Sequence, residues 1–427
     1  MRPSLVPSTT GAHRTLTRVA QSVAVIGLGR VGLPLALSFA DRGLDVIGIE
    51  KRQEVLDSLD AGEMPFDEPG TQELLERVSI EHSRKIQDAA AADHIVLTLG
   101  TPTYIHIEIE MSQIREAVDD LLPVLREGHS LVLRSTVAPG TTDWVAGYIE
   151  QRRELRAGEN VFVSHVPERI AEGHFVGEIG TLPCIVGGVG EGSGAKAAEL
   201  FEVFGTEILQ TTPVQAELAK VWSNILRYTE FALPNLLMMN SEGLGANVFE
   251  VIDLINHDYP RGGMRAPGLT GGPCLRKDFA FSEERSSAPT MLLAVSRVHE
   301  GVPLFLVEGL KRRLGGSLRD RKVAVLGLTF KRDSDDLRDS LAIKLIRLLE
   351  RELAHVARHD PHVPDGSEPL DGALQGADAV VIGANHSAFD DLLARLTDGI
   401  LLVDPWNALG ARQVFGTVQA GKLAAAH

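Results

Sequence analysis

Short apolar runs alternate with longer stretches of helical period along the first half of the chain. The runs at residues 23–26, 46–49, 95–99, 131–133 and 161–163 are typical of buried parallel strands. Strands that alternate with amphipathic helices form βαβ units, so this half is predicted to be a doubly wound α/β domain.

The strand pattern stops near residue 212 and returns beyond residue 321. The intervening residues have helical period, interrupted by a Gly- and Pro-rich loop at 260–273. The helical stretches are 214–244, 248–255 and 290–314, and the later apolar runs are 323–326, 355–358, 379–382 and 401–403. An all-helical centre between two α/β domains is therefore expected. The predicted boundaries are 1–21 for a flexible extension, 22–211 for the first domain, 212–315 for the helical domain and 316–427 for the last domain.

The last domain begins with a near repeat of the first. The segment 323–328 (VAVLGL) repeats 23–28 (VAVIGL) at an offset of 300, and Glu50 and Asp360 each follow the second strand of their domain. Only the first copy keeps a glycine loop, whereas the second has Lys331 and Arg338 after its first strand. We therefore expect a dinucleotide on one sheet, another anionic ligand on the other, and a cleft between them, because ligands of open α/β sheets bind beyond the carboxyl ends of the strands.

The glycine loop has the spacing of a dinucleotide fingerprint. Gly27, Gly29 and Gly32 enclose Arg30 and Val31 between a strand and an amphipathic helix, where they permit a tight turn, access to a pyrophosphate and close helix packing. Both α/β domains are thus predicted to be Rossmann-like, with doubly wound parallel sheets. Glu50, at the end of the second strand, favours NAD over NADP because a carboxylate accepts hydrogen bonds from a ribose 2′-hydroxyl; Lys51 and Arg52 beside it oppose this preference.

Two further motifs carry candidate chemistry. Lys220 and Asn224 share one face of a predicted helix, and Cys274 follows two glycines and precedes two cations, which favour the nucleophilic thiolate. Asp278 is a candidate base if a helix begins near the cysteine, and otherwise a helix cap or one partner of a solvated salt bridge. The other cysteine, Cys184, lies in an apolar run and is expected to be part of the core.

Composition narrows the class of protein. Of 427 residues, 44% are hydrophobic and 23% are charged, which fits a globular chain. A formal net charge of -16 argues against general affinity for nucleic acid or anionic membranes. Two cysteines cannot form a disulfide framework, and no apolar run reaches the roughly 18 residues of a membrane span. We expect a cytoplasmic protein without a metal site.

The order and spacing of these motifs resemble the UDP-glucose/GDP-mannose dehydrogenase family of nucleotide-sugar 6-dehydrogenases over residues 23–407. The matching segments are 25–36 (VIGLGRVGLPLA), 67–70 (DEPG), 101–102 (TP), 135–141 (STVAPGT), 167–168 (PE), the helix with Glu217, Lys220 and Asn224, the Cys274 loop, 327–331 (GLTFK) and 336–340 (DLRDS).

The resemblance implies a four-electron oxidation of the C6 alcohol of a nucleotide sugar to a carboxylate with two NAD per turnover. Lys220 and a water held by Thr136 would stabilise or relay charge in the first oxidation, and Cys274 would carry a thiohemiacetal and then a thioester. Asp278 would activate the hydrolytic water, Lys220 and Asn224 would stabilise the oxyanion, and Glu168 would position or help hydrolyse the thioester.

The resemblance also implies the binding residues and the assembly. The cofactor set comprises the fingerprint residues Gly27, Gly29, Arg30, Val31 and Gly32 with Glu50, Thr101, Ser135, Thr136, Lys277 and Arg338. The substrate set comprises Glu168, Arg169, Lys220, Asn224, Gly271, Lys331 for the diphosphate, and Arg261 reaching the neighbouring subunit. A homodimer through the central helices follows from the family.

Residues 167–173 (PERIAEG) and 185–188 (IVGG) resemble the branch that acts on UDP-N-acetylglucosamine or UDP-N-acetylmannosamine. In this branch Arg169 either bonds the acetamido oxygen or forms a structural ion pair. Lys277 resembles the glucose branch, so UDP-glucose and GDP-mannose stay as alternatives. A two-electron hydroxyacid dehydrogenase is opposed by Cys274 and the third domain, and a non-catalytic nucleotide-binding module is opposed by the joint presence of the catalytic residues.

Overall fold

The computed structural model describes residues 21–100, 112–273, 275, 278, 290–419 and 421–425. Its first part is an eight-stranded sheet in the order β3-β2-β1-β4-β5-β6-β7-β8. The strands are β1 (Ser22–Ile26), β2 (Asp45–Ile49), β3 (Glu81–Ser83), β4 (His94–Leu97), β5 (Ser130–Leu133), β6 (Phe162–His165), β7 (Cys184–Gly188) and β8 (Ile208–Thr211). Ile26 at the end of β1 pairs with Ile49 and Leu97, so the carboxyl ends of three central strands meet at one edge.

Seven helices of this part connect the strands and cover the sheet. They are α1 (Gly32–Asp41), α2 (Gln53–Asp60), α3 (Thr71–Arg77), α4 (Ser112–Leu121), α5 (Thr141–Arg153), α6 (Phe175–Glu178) and α7 (Gly190–Phe201). Because both faces of the sheet are covered, its central strands are apolar almost throughout, and two separate hydrophobic clusters form the core.

The central helices α8 (Pro213–Gly243), α9 (Val248–Asn256) and α10 (Thr290–Arg313) follow. Helix α8 has proline in its first turn, where the missing N–H removes no helical hydrogen bond. Helix α10 is long and apolar enough to cross a membrane, but its residues Val302, Leu306 and Leu310 are buried against the second sheet, as in a core helix.

The second sheet has six strands in the order β10-β9-β11-β12-β13-β14. These are β9 (Lys322–Leu326), β10 (His355–His359), β11 (Ala379–Ile382), β12 (Leu401–Val403), β13 (Phe415–Gln419) and β14 (Lys422–Ala425), with helices α11 (Leu341–Arg351) and α12 (Leu370–Leu374). The order β10-β9-β11-β12 repeats β2-β1-β4-β5 of the first sheet. The predicted α/β class, with two parallel-rich sheets around a helical centre, is confirmed.

The pattern did not predict the antiparallel parts of either sheet. Strand β7 runs antiparallel to β6, while β13 and β14 form an antiparallel edge of the second sheet. In β7, a Cβ on Gly188 would lie 2.1 Å from the backbone nitrogen of Gly194, so the strand passes too close to α7 for any side chain. The two glycines of β7 break the apolar run that marks the other central strands.

Candidate functional site

The glycine turn between β1 and α1 leaves open space beside a helix N-terminus. Gly27 has φ +94° and donates its N–H to Ile49 at 2.7 Å, while a Cβ on Gly32 would lie 1.9 Å from the carbonyl oxygen of Gly27. A Cβ on Gly29 would meet no atom within 4 Å. Val31 gives α1 no side-chain cap, and the first turn carries no acid. The positive end of the helix dipole at this uncapped terminus suits a pyrophosphate.

Glu50 lies directly after β2 and is buried. Its carboxylate accepts the N–H of Leu28 at 3.0 Å and the N–H of Arg52 at 3.0 Å. The Arg52 side chain folds onto it at 3.2 Å. Burial acts to raise the pKa of Glu50, but the hydrogen bonds from Arg52 outweigh burial, so the pKa is lowered and the group stays ionised. Together with the glycine turn, this carboxylate fits NAD.

Ser135 and Thr136 follow β5 at the same edge. The Ser135 hydroxyl donates to the carbonyl of Leu99 at 2.8 Å, which ties the end of β5 to the segment after β4. Thr136 is half-buried beside it. The neighbouring Thr98 hydroxyl lies 2.6 Å from the carbonyl of Gly27, so the loops after β1, β4 and β5 are held together.

Glu168 is held in a buried ion pair that the sequence did not predict. Arg134 donates to the Glu168 carboxylate at 2.5 Å and to the Val166 carbonyl at 3.2 Å, and its guanidinium lies 4.9 Å from the centre of the Phe201 ring. The other carboxylate oxygen accepts the Ile170 N–H at 2.7 Å. Both oxygens of Glu168 are thus engaged, which suits a positioning role better than proton transfer.

The loop after Glu168 is fixed by a second buried acid. Glu68 accepts the N–H groups of Gly173 and Phe175 at 2.8 and 2.9 Å. Arg169 donates to the carbonyl of Pro183, and no ion pair of Arg169 is found among the described residues. Cys184, beside Pro183, is half-buried, and burial raises the pKa of its thiol, which fits the predicted core role.

Helix α8 brings its polar residues against the first sheet. Glu217 is fully buried and accepts the Gly140 N–H at 2.6 Å and the Thr142 N–H and hydroxyl at 2.8 and 2.6 Å, which caps α5. Burial raises the pKa of Glu217, although these hydrogen bonds act to lower it. Lys220, one turn further on, is half-buried near His165. Burial, together with the Lys220 and Arg134 charges, lowers the pKa of His165 to about 3.

Asn224 and Asp278 meet, although 54 residues separate them. The Asn224 amide donates to a carboxylate oxygen of Asp278 at 2.5 Å, and both side chains are buried. Asp278 is therefore held against the face of α8 that carries Asn224.

The two glycines before Cys274 pack against the second α/β part. A Cβ on Gly271 would lie 2.6 Å from the carbonyl of Asp339, and a Cβ on Gly272, at φ +101°, would lie 2.5 Å from the Phe330 ring. Gly272 also donates its N–H to Asp339 at 3.2 Å. These glycines let the loop approach the segment that carries Lys331.

Lys331 and Arg338 lie on the loop after β9. The Lys331 ammonium donates to the carbonyl of Glu172. Burial lowers the pKa of Lys331, although the negative charges of Glu172 and Glu68 act to raise it. Arg338 is mostly exposed and forms a close ion pair with Asp336 at 2.5 Å, a partner the sequence did not suggest.

A histidine supports this loop in a way that sequence analysis missed. The Asp360 carboxylate accepts the N–H groups of Leu328 and Thr329 at 2.6 and 3.2 Å, as Glu50 accepts that of Leu28. His386 is buried, lies 3.1 Å from Asp360, and accepts the Asp333 N–H at 2.8 Å. The repeat in sequence placed Asp360 but gave no sign of His386. With Asp333 and His362, His386 forms the one group of possible metal ligands among the described residues, but its Nδ1 already accepts a hydrogen bond.

Arg261 is exposed, and its guanidinium stacks on Tyr259, with 4.7 Å to the ring centre. It donates to the Tyr259 hydroxyl at 2.9 Å and contacts none of the other candidate residues among the described hydrogen bonds. Thr101, Cys274, Lys277 and the extension up to residue 20 lie outside the described residues.

The glycine turn on the first sheet has the geometry of a dinucleotide-binding enzyme, and the loop after β9 on the second sheet carries Lys331 for a further anionic ligand. Three models of the UDP-glucose/GDP-mannose dehydrogenase family match in turn: the NAD binding domain at residues 21–205, the central domain at 214–298 and the UDP binding domain at 324–411. The chain belongs to this family and is an NAD-dependent nucleotide-sugar dehydrogenase.

Relatives and solved structures span nearly the whole chain. UDP-N-acetyl-D-mannosamine dehydrogenase of Pyrococcus horikoshii is 30% identical over 86% of this chain and 90% of its own. A structure of UDP-D-ManNAc dehydrogenase from P. horikoshii has a TM-score of 0.85 at 29% identity, covering 91% of this chain and 96% of that one. A UDP-glucose dehydrogenase structure from Pyrobaculum islandicum has a TM-score of 0.82 at 27% identity, covering 92% and 96%.

Proposed function

We propose that the protein oxidises the C6 alcohol of a UDP-N-acetylhexosamine, either UDP-N-acetylglucosamine or UDP-N-acetylmannosamine, to the carboxylate. The observation that carries this proposal is the buried Asn224–Asp278 hydrogen bond at 2.5 Å, which joins the helix of Lys220 to the residue four positions after Cys274 in the sequence. A nucleophile beside a lysine, an amide and a carboxylate is the arrangement needed for covalent oxidation followed by hydrolysis.

The proposed NAD site consists of residues 27–32, Glu50, Ser135 and Thr136, with Thr101, Lys277 and Arg338 as further candidates from the family resemblance. When bound, NAD would accept a hydride from C6 in each of two oxidations. Glu50 would hold the adenosine ribose, and the uncapped N-terminus of α1 would face the pyrophosphate. Arg30 would contribute its backbone, because its side chain is paired with two carboxylates.

The protein groups would divide the chemistry between them. In the first oxidation the proton of the C6 hydroxyl passes to the water held by Thr136, and Lys220 stabilises the negative charge that develops on the oxygen. The Cys274 thiolate adds to the aldehyde, and the thiohemiacetal is oxidised to a thioester. Asp278 removes a proton from the attacking water, Asn224 and Lys220 stabilise the oxyanion, and the thiolate leaves as the carboxylate forms.

The substrate would lie between the two sheets. Lys331 would bind the diphosphate, Gly271 would allow close approach, and Glu168 would keep the loop at 166–173 in place through Arg134. Arg169 would offer its remaining N–H groups to the acetamido oxygen. The proposed domain boundaries stay at 22–211, 212–315 and 316–427.

A homodimer is part of the proposal, and an apolar stripe on α8 supports it. Six large apolar side chains recur on one side of the helix and are 37–60% exposed: Val214, Leu218, Trp222, Leu226, Leu233 and Leu236. Exposed apolar patches of this kind mark interaction surfaces. In the dimer, exposed Arg261 would reach the substrate of the neighbouring subunit. We also propose a cytoplasmic location.

The decisive experiment counts NADH formed per sugar consumed with UDP-N-acetylglucosamine, UDP-N-acetylmannosamine, UDP-glucose and GDP-mannose. We expect two NADH per N-acetylated sugar. Two NADH from UDP-glucose or GDP-mannose would keep the mechanism and change the substrate, and the similarity to the P. islandicum enzyme makes UDP-glucose the second candidate. One NADH per sugar would refute the thioester, and none with any sugar would favour a binding module.

The two cysteines provide a matched pair of variants. Cys274→Ala should abolish carboxylate formation, whereas Cys184→Ala, which removes a half-buried thiol of β7, should leave the stoichiometry unchanged. If Cys274→Ala released carboxylate at the wild-type rate, covalent catalysis would be wrong.

A further inference from the structure

The first and second α/β parts are joined at one small patch beside the two proposed ligand sites. Within the part of the chain that the structure describes, four hydrogen bonds cross here: Arg30 to Asp335 at 2.6 Å, the Asp67 N–H to Asp335 at 3.5 Å, Ser334 to Glu172 at 3.5 Å, and Lys331 to the Glu172 carbonyl. All of them involve the glycine loop, the loop after Glu168 or the loop after β9.

Arg30 is the centre of this patch. It lies between Gly29 and Gly32 in the cofactor turn, and its guanidinium binds the Glu172 carboxylate at 3.0 Å as well as Asp335. The three side chains are 21–27% exposed, so their charges are only partly screened by water.

Asp335 lies four residues after Lys331, on the same loop. A ligand bound by Lys331 would therefore act on the loop that also carries Asp335, and Asp335 pairs with Arg30 in the glycine turn. Burial and the Asp336 charge raise the pKa of Glu172, while Arg30 lowers it, so Arg30 also stabilises the anion to which the loop is tied.

We infer that the Arg30–Asp335 ion pair couples NAD binding in the first sheet to UDP binding in the second. Asp335 is thus a positioning residue for the cofactor, although it lies in the part that binds UDP. The inference rests on the proposed function only in taking Lys331 as a ligand of the diphosphate. Because coupling is reciprocal, each ligand must change the affinity of the other by the same factor.

The test is calorimetric titration of the full-length chain with NAD, with and without saturating UDP, which binds without reacting. In the wild type, UDP should strengthen NAD binding by about fivefold or more, the lower end of common coupling factors. Asp335→Asn should reduce this ratio to near one, and Asp335→Glu should restore part of it. A purely structural defect would weaken NAD binding equally with and without UDP, and would leave the ratio unchanged.

Asp371→Asn is the matched control. Like Asp335→Asn, it removes one negative charge from the second α/β part. It breaks the ion pair between Asp371 and Arg395, both of which lie in that second part. Its ratio should equal that of the wild type. A wild-type ratio of one, or an unchanged ratio in Asp335→Asn, would overturn the coupling alone. A wild-type chain that binds NAD but not UDP would overturn the coupling, and the NADH count would decide the proposed function separately.

Discussion

The buried Arg134–Glu168 pair makes a sharp prediction for Arg134→Met. The side chains are 4% and 10% exposed, so methionine would fill much of the space over Phe201 but leave the Glu168 carboxylate buried without its cation. Removing one partner of a buried pair costs about 3–5 kcal/mol. In an α/β part of this size, each kcal/mol lowers the melting temperature by about 2–4 °C, so we expect a decrease of about 6–20 °C.

Scanning calorimetry of the whole chain measures this decrease. A three-part chain need not unfold in a single transition, so the relevant transition is the one that saturating NAD raises. Arg156→Met is the control, because Arg156 is 63% exposed and pairs with Glu150 at 3.2 Å on the surface, which is worth at most about 1 kcal/mol.

Arg134→Met combined with Glu168→Gln should recover most of the loss, because no unpaired charge is left in the interior. A decrease in Arg134→Met no larger than that in Arg156→Met would show that the pair is not a buried charge contact. An equal loss in the double variant would assign the effect to packing instead.

Three further predictions concern the cofactor turn, the assembly and pH. Gly29→Ala should weaken NAD binding about tenfold without lowering the melting temperature, whereas Gly32→Ala should lower it because the new Cβ would lie 1.9 Å from a backbone carbonyl. Leu226→Glu places a charge in the α8 stripe and should give a monomer in sedimentation velocity. Burial lowers the pKa of His94 to about 4 and of His165 to about 3. Both should be neutral in the fold, so the free energy of unfolding in urea should decrease below about pH 6.5, by up to about 1.4 kcal/mol per pH unit for each histidine.

Each of these predictions has a control on the same chain. Gly147→Ala adds a methyl group into open space on α5 and should change neither NAD binding nor melting. Leu353→Glu alters an apolar side chain of similar exposure outside α8 and should leave the assembly intact. His355→Gln removes an exposed histidine and should keep the pH dependence. A wild-type monomer, equal effects of the two glycine variants, or stability independent of pH between 7 and 5 would contradict the respective prediction.

Local pattern was sufficient for much of the fold and for the local geometry of the glycine turn. The strand, turn and helix around Gly27, the acid after β2 and the shared face of Lys220 and Asn224 all depend on residues close in sequence. The repeat at an offset of 300 also predicted the second sheet. Each of these features is visible in a single sequence as a hydrophobic period or as a fixed spacing between residues.

Contacts between distant segments could not be predicted in this way. Arg30 and Asp335 are 305 residues apart, and either one alone is indistinguishable from a solvated surface charge. The sequence likewise does not distinguish Arg134 from the other arginines, because the burial of Arg134 depends on how β5, the loop at 166–168 and α7 pack together. The reversed strand β7 depends on a close approach to α7, which no hydrophobic period encodes.

Helix α8 is expected to move as one rigid unit. Its 31 residues span about 46 Å at 1.5 Å per residue, and the segment before Pro234 is an uninterrupted rod. Glu217, Lys220 and Leu226 all lie on this straight segment. The Glu217 cap on α5, the Lys220 side chain and the exposed apolar stripe therefore cannot shift independently. If a second subunit tilted the helix at the stripe, Lys220 would therefore move as well. A variant engineered to change the assembly should be tested for its catalytic rate as well as for its oligomeric state.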